Sequence, residues 1–246
     1  MERSPFREDE AWAAKPAGAG WAYWRPGVDG VVELATVRGR EVALPTHFHA
    51  EDQVTFVVSG RRRFLMGSKA VTLAAGQGAL IPAGAAHRSF SEPAGVACLN
   101  AYLPAGEYAV AAMLCDLERL WREAGQLRPE QLAAVARRHR RDVAGGTSAG
   151  VALFRAGCRE SVGRAAARAG ISREGFSRMF ARRYGMPPHA YWLTARLNQA
   201  RGLLRAGEDI AAVAAETGFA DQSHLGRRFR RAFGVTPGSY RSGWLP

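Results

Sequence analysis

Three histidines and an amide could form a binding centre. His47 and His49 stand two positions apart, and His87 follows the turn at Pro82-Ala83-Gly84. Two histidines at i and i+2 on a strand point to one face, which is how a barrel aims side chains inward. Three imidazoles with an open position can hold Fe, Mn, Ni or Zn. Gln53, four residues past His49, adds a neutral donor and acceptor. The set admits three readings: a divalent-cation site, a metal-free polar pocket for a small effector, or core histidines bonded within the fold. No organic cofactor is called for.

A second group of residues suits a polyanion. Arg173, Glu174, Ser177, Arg178 and Arg182 share the outer face of one helical segment, and Gln222, Ser223, His224, Arg227 and Arg228 share that of another. Arg pairs with guanine O6 and N7, and Gln with adenine N6 and N7, so these side chains can read base edges from the major groove. The inner faces carry Phe176, Met179 and Phe180 in one segment, Leu225 and Phe229 in the other.

The elements that must hold these groups differ along the chain. Up to about Leu103 the sequence alternates short apolar runs with turns. The run Gln53 to Ser59 predicts a strand, Ser59-Gly60 a turn, and Arg61 to Met66 the returning strand. Arg61-Arg62-Arg63 straddles that strand and predicts a solvated edge. Trp21, Tyr23 and Trp24 suit either an arm closing over the barrel or plain core packing. After Pro104 the period becomes helical, with Val110, Leu114, Leu117 and Trp121 on one face of a candidate dimer seam. Pro129 opens a second helix to about Val143, and Gly145 to Gly150 reads as a linker. The basic run Arg137 to Arg141 predicts a wet helical face.

Beyond the linker the chain repeats. Val162, Ala165, Ala166, Ala169 and Gly170 recur 48 residues later as Ile210, Val213, Ala214, Thr217 and Gly218. Phe180, Gly185, Pro188 and Tyr191 recur 49 residues on, as Phe229, Gly234, Pro237 and Tyr240. Two helix pairs, each turning at a glycine, are thus joined by the helix Pro188 to Ala206. Ser172 and Asp221 are placed to cap the second helix of each pair.

Charge follows the same division. The net charge is +12, with residues 1–150 at +2 and residues 151–246 at +10. A near-neutral half joined to a strongly basic half fits a sensor attached to a nucleic-acid-binding module. No apolar run is long enough to span a bilayer, the acidic N-terminus lacks a secretory pattern, and the three cysteines are scattered. These features predict a cytoplasmic protein without a disulfide framework or membrane partner.

The segment Gly218-Phe-Ala-Asp-Gln-Ser-His-Leu225, with Phe229, Gly234, Pro237 and Tyr240 after it, closely resembles the AraC/XylS transcription-regulator signature over about residues 160–242. The resemblance implies that the helices starting near Arg173 and Asp221 enter adjacent major grooves, with base contacts from Glu174, Ser177, Arg178, Gln222, Ser223 and Arg227. Gly175 and Gly226 depart from good helix formers inside those helices, and Val151 to Arg159 is a ragged start. The N-terminal part resembles the cupin fold: His47-x-His49, Gln53 and Gly60, then Gly76, Pro82, Gly84 and His87. Gln53 stands where that family has a metal-binding Glu, and Ser91 where it commonly has Asn.

The expected fold class is α+β multidomain: a cupin-like β-barrel (1–104), a helical dimerisation region and linker (105–150), and an all-α domain (151–246) with helix-turn-helix units at 161–184 and 209–233. The expected function is a non-enzymatic regulator, such as an activator, binding double-stranded promoter DNA as a homodimer and meeting RNA polymerase. His47, His49, Gln53 and His87 would bind its small-molecule effector. The rival is a cupin dioxygenase or isomerase using the three histidines as metal ligands, with the basic half as a localiser.

Overall fold

The computed structural model describes residues 20–141 and 161–244. The expected linker at 145–150 and the ragged segment 151–159 lie outside the described residues. The N-terminal part is a curled eight-stranded antiparallel sheet. Its strands are β1 (Gly20–Trp24), β2 (Glu33–Gly39), β3 (Leu44–His47), β4 (Asp52–Met66), β5 (Lys69–Ala74), β6 (Gly78–Ile81), β7 (His87–Ser89) and β8 (Val96–Leu103). The path through the sheet is β1-β2-β8-β4-β7-β3, with β5 and β6 also paired to β4.

One strand makes the curl. The first half of β4 pairs with β6 and β8, and its second half with β5 and β7, so β4 belongs to both walls. The expected turn at Ser59-Gly60 is instead a bulge within β4, where the register against β8 shifts between Val57 and Ser59. Gly60 has φ 75°, and a Cβ there would lie 2.2 Å from the Gly95 carbonyl oxygen. Such a residue bends a strand without ending it.

Helices α1 (Val110–Ala124) and α2 (Pro129–Arg138) cover the sheet. Leu117 is buried with Phe56 and Leu99, and Val110, Leu114 and Trp121 pack against the same core. The face that suggested a dimer seam is therefore spent within the chain. The basic run beside it forms ion pairs: His139 and Arg138 with Asp116, and Arg140 with Glu107.

The C-terminal part contains α3 (Val162–Arg168), α4 (Arg173–Tyr184), α5 (Pro188–Arg205), α6 (Ile210–Glu216), α7 (Gln222–Phe233) and α8 (Pro237–Ser242). The corners between α3 and α4 and between α6 and α7 contain Gly170 and Gly218, at φ 67° and 77°. A side chain there would be strained, which explains why both copies of the repeat place glycine at the corner. Leu197, Ala200 and Leu204 of α5 are buried with Val213, Leu225, Phe229 and Phe233. Tyr23 and Tyr102 of the sheet belong to that same cluster, so the basic part shares a core with the barrel.

Candidate functional site

Two places in the fold concentrate chemistry, and α5 connects them. The first is the pair of second helices, α4 and α7. Ser172 accepts from the Gly175 amide at 3.0 Å and Asp221 from the His224 amide at 2.6 Å, satisfying free donors at each helix start. Arg173, Glu174, Arg178 and Arg182 on α4 are exposed, as are Gln222, Ser223, Arg227 and Arg228 on α7; Ser177 is half-buried. His224 is turned partly away from solvent, its ring 5.4 Å from that of Phe219. Phe176, Leu225 and Phe229 face inward as expected, but Met179 is 43% exposed and leaves the inner face.

The second place is inside the barrel. His47, His49 and His87 are each buried, and one nitrogen from each lies within 4.8 Å of the others. β3 carries His47 to its last position, and β7 begins with His87, which pairs directly with His47. Gln53 and Arg62 line the same small cavity, whose volume is about 10 Å³. That is room for a water or an ion, far below the ~300–1,000 Å³ of drug-sized ligand sites.

The hydrogen bonds fix how the rings present their nitrogens. His47 Nδ1 lies 2.7 Å from the Pro45 carbonyl oxygen, and His87 Nδ1 lies 2.9 Å from that of Ala85. A carbonyl only accepts, so both rings donate from Nδ1, and when neutral each keeps a lone pair on Nε2. Burial pulls the His87 pKa down to about 4 and, joined by the nearby histidine, holds His47 well below the usual range. His49 is likewise lowered by burial, with His47, His87 and Arg201 adding to it. All three are neutral rings at physiological pH.

An amide and a guanidinium, Gln53 and Arg62, also line the cavity. Gln53 Nε2 donates to Asn100 Oδ1 at 2.9 Å, leaving Gln53 Oε1 and Asn100 Nδ2 without hydrogen-bond partners among the described residues. Arg62 Nη2 donates to Ser89 Oγ, while its Nη1 has no such partner. The solvated edge expected of Arg61 to Arg63 is thus corrected at Arg62, which is buried. The alternation of the strand sends Arg62 inward while Arg61 and Arg63 reach Glu92.

The sequence did not show what borders the cluster. Phe233, the last residue of α7, sets its ring 6.4 and 6.5 Å from those of His47 and His49, and Trp21 of β1 lies over Arg62. Arg201 of α5 enters from the basic side. It bonds His49 Nδ1 at 3.0 Å and forms a buried ion pair with Glu33 of β2, which also accepts from the Tyr240 hydroxyl. Four rings surround the guanidinium: Tyr23, Tyr102, Phe233 and Tyr240. One turn on, Arg205 pairs with Glu51 at 2.7 Å. Tyr23 donates to the Phe233 carbonyl, and Asn198 to that of Phe48. A clue was present: Arg201 falls on the apolar side of α5, one position past Ala200, where a solvated arginine has no place.

Residues 165–243 match a family model described as a helix-turn-helix domain, and residues 29–97 match one described as a cupin domain. Over 76 residues the chain is 37% identical to the HTH-type transcriptional regulator MtrA of Neisseria gonorrhoeae, covering 30% of this chain. The match spans a quarter of that relative's length (25%). Among solved structures, ToxT from Vibrio cholerae is similar at TM-score 0.47 and 12% identity, over 86% of this chain and 98% of that one. A transcriptional regulator of Chromobacterium violaceum, described by its AraC-type DNA-binding domain, is 31% identical at TM-score 0.35, over 39% and 88% of the two chains.

Proposed function

We propose that this chain, which carries an AraC-type helix-turn-helix domain behind a cupin domain, is a sequence-specific transcription regulator whose barrel senses an ion-sized ligand. The observation that carries the reading is the matched pair of capped helices, each exposing an arginine beside residues able to bond base edges. Glu174, Ser177 and Arg178 would read one major groove, and Gln222, Ser223 and Arg227 the next. Arg173, Arg182 and Arg228 would neutralise phosphates at the flanks, and His224 would position the start of α7 rather than touch a base.

The barrel site would be the sensor. His47 and His87 offer lone pairs, and Gln53 Oε1 is buried without a partner among the described residues, so the donor set fits a divalent cation. His47, His49 and His87 would hold such an ion, with Gln53 as a neutral neighbour. The ion's role would be binding energy and charge rather than catalysis, since the cavity has no space for an organic substrate beside it. The chain would act in the cytoplasm, as a homodimer on promoter DNA, with RNA polymerase as a further partner; α1 would not be its seam.

Retardation of labelled DNA from upstream of neighbouring genes, against excess random DNA, tests the reading. Retention of one fragment at a specificity ratio of about a thousand or more supports it. Equal binding to every fragment contradicts it.

A further inference from the structure

One histidine of the barrel is hydrogen-bonded by the basic half, and that bond decides what the histidine can do. Arg201 Nη1 lies 3.0 Å from His49 Nδ1. A guanidinium has donors and no acceptor, so His49 Nδ1 must be the accepting, unprotonated nitrogen. The neutral ring therefore carries its proton on Nε2. His47 and His87 are held in the opposite tautomer by the carbonyls of Pro45 and Ala85. Whichever nitrogen His49 turned to a metal, one obstacle stands: Nδ1 has its lone pair engaged by Arg201, and Nε2 holds the proton. With α5 docked, the cluster offers two ligands and not three.

Charge acts in the same direction. Arg201 is 1% exposed, and Arg62 lines the histidine cavity from the barrel side. A divalent cation would sit close to both guanidinium groups in a dry site, where like charges repel most strongly. Withdrawal of α5 would remove one of them and free His49 to take the tautomer of its two neighbours. Phe233, whose ring flanks His47 and His49, belongs to α7 and would leave with it.

We infer that a divalent cation on His47, His49 and His87 and the docked position of α5 exclude one another, with Arg201 and the cation competing for His49. The inference rests on the cation-sensing reading of the barrel above. It makes the basic domain the direct reporter of the site. Empty, the barrel holds α5, and with it the two DNA-reading helices, in one arrangement; filled, it releases them. Linkage then requires the converse, that whatever withdraws Arg201 tightens cation binding.

The test uses Co²⁺ and the full chain at one fixed pH. Replacing Arg201 alone would leave the fully buried Glu33 with only the longer contact to Arg205 at 3.5 Å, so the informative protein is the double variant Glu33→Gln, Arg201→Gln, with Glu33→Gln as its control. Calorimetry gives the Co²⁺ affinity, the visible spectrum of Co²⁺ reports nitrogen ligands, and small-angle scattering reports domain separation. The double variant should bind Co²⁺ at least about tenfold more tightly than wild type. Saturating Co²⁺ should raise the radius of gyration of the wild type but leave that of a His87→Ala variant unchanged. Equal affinity of wild type and double variant, with histidine-ligated spectra in both, overturns the inference and leaves the cation site standing. So does an unchanged scattering profile on loading the wild type. Absence of Co²⁺ binding in all the proteins overturns the cation site, and the inference with it.

Discussion

Arg201 and His49 lie 152 positions apart in the chain and meet at 3.0 Å in a buried polar contact between the two halves. The guanidinium is 1% exposed and its partner Glu33 is fully buried, so the contact depends on charges that water does not reach. Burial works against the Arg201 charge, but Glu33, Tyr240, Glu51 and Tyr102 together outweigh it and leave the group firmly cationic.

This arrangement makes Glu33 the sensitive partner. Glu33→Ala leaves a buried guanidinium without its carboxylate, at an expected cost of about 3–5 kcal/mol in the stability of the full chain. Chemical denaturation measures it. A loss below about 1 kcal/mol would mean that water or a rotated Arg205 replaces the pair, and that the docked arrangement is not held by this contact.

Acid should loosen the same region. His87 is neutral in the folded chain with its pKa near 4, against about 6.5 for an exposed ring. Protons therefore bind the unfolded chain first. The stability attached to this ring is complete above about pH 6.5 and falls by about 3 kcal/mol as pH drops to about 4. His47 and His49 act with the same sign. Denaturation midpoints at pH 7.5 and 4.5 should separate less in a His87→Gln variant than in wild type. An equal separation would show that this histidine does not titrate with unfolding.

If the barrel binds a cation as proposed, Gln53 should limit its affinity. Its Oε1 is buried without a partner among the described residues, and it carries no charge. Gln53→Glu should tighten Co²⁺ binding by about tenfold, roughly 1.4 kcal/mol, by placing a carboxylate in that position. Titration calorimetry reads this directly. Unchanged or weaker binding would place the cation elsewhere.

Gly226 lies in the middle of α7, and a Cβ added there meets no atom within 4 Å. Gly226→Ala should stabilise the free protein by about 0.5–1 kcal/mol through helix propensity alone. Gly175 is different, because its Cβ would come 3.1 Å from Ser172 Oγ, the cap of α4. A thermal melt of the Gly226→Ala variant checks the first statement; a lower midpoint than wild type contradicts it.

Much of this was readable from local pattern. The helix pairs, their caps at Ser172 and Asp221 and the glycine corners follow from short-range chemistry repeated at a fixed spacing. His47 and His87 likewise share an inward face on paired strands, whereas His49 lies past the end of β3 and joins them without the strand alternation expected of it. What escaped was long-range. Gly60 looks like any hairpin glycine until β8 is known to lie beside β4, where a bulge is the better solution. Arg62 reads as one of three surface arginines until the strand's pleat assigns it a side. Arg201 and Glu33 are single charged residues 168 positions apart, and no periodicity links them. Met179 fits an apolar stripe by spacing, yet no element among the described residues buries it.

Whether α4 and α7 read DNA sequence together is decided by selecting binding sites from a random duplex library with the full chain. The wild type should enrich a two-part motif with its halves about 10–10.5 base pairs apart, one turn of the double helix. Arg178→Ala should relax one half and Arg227→Ala the other, each weakening the best site by about 1–3 kcal/mol. Enrichment of no motif, or equal weakening on every sequence by both variants, would contradict the claim and leave the exposed arginines as phosphate contacts alone.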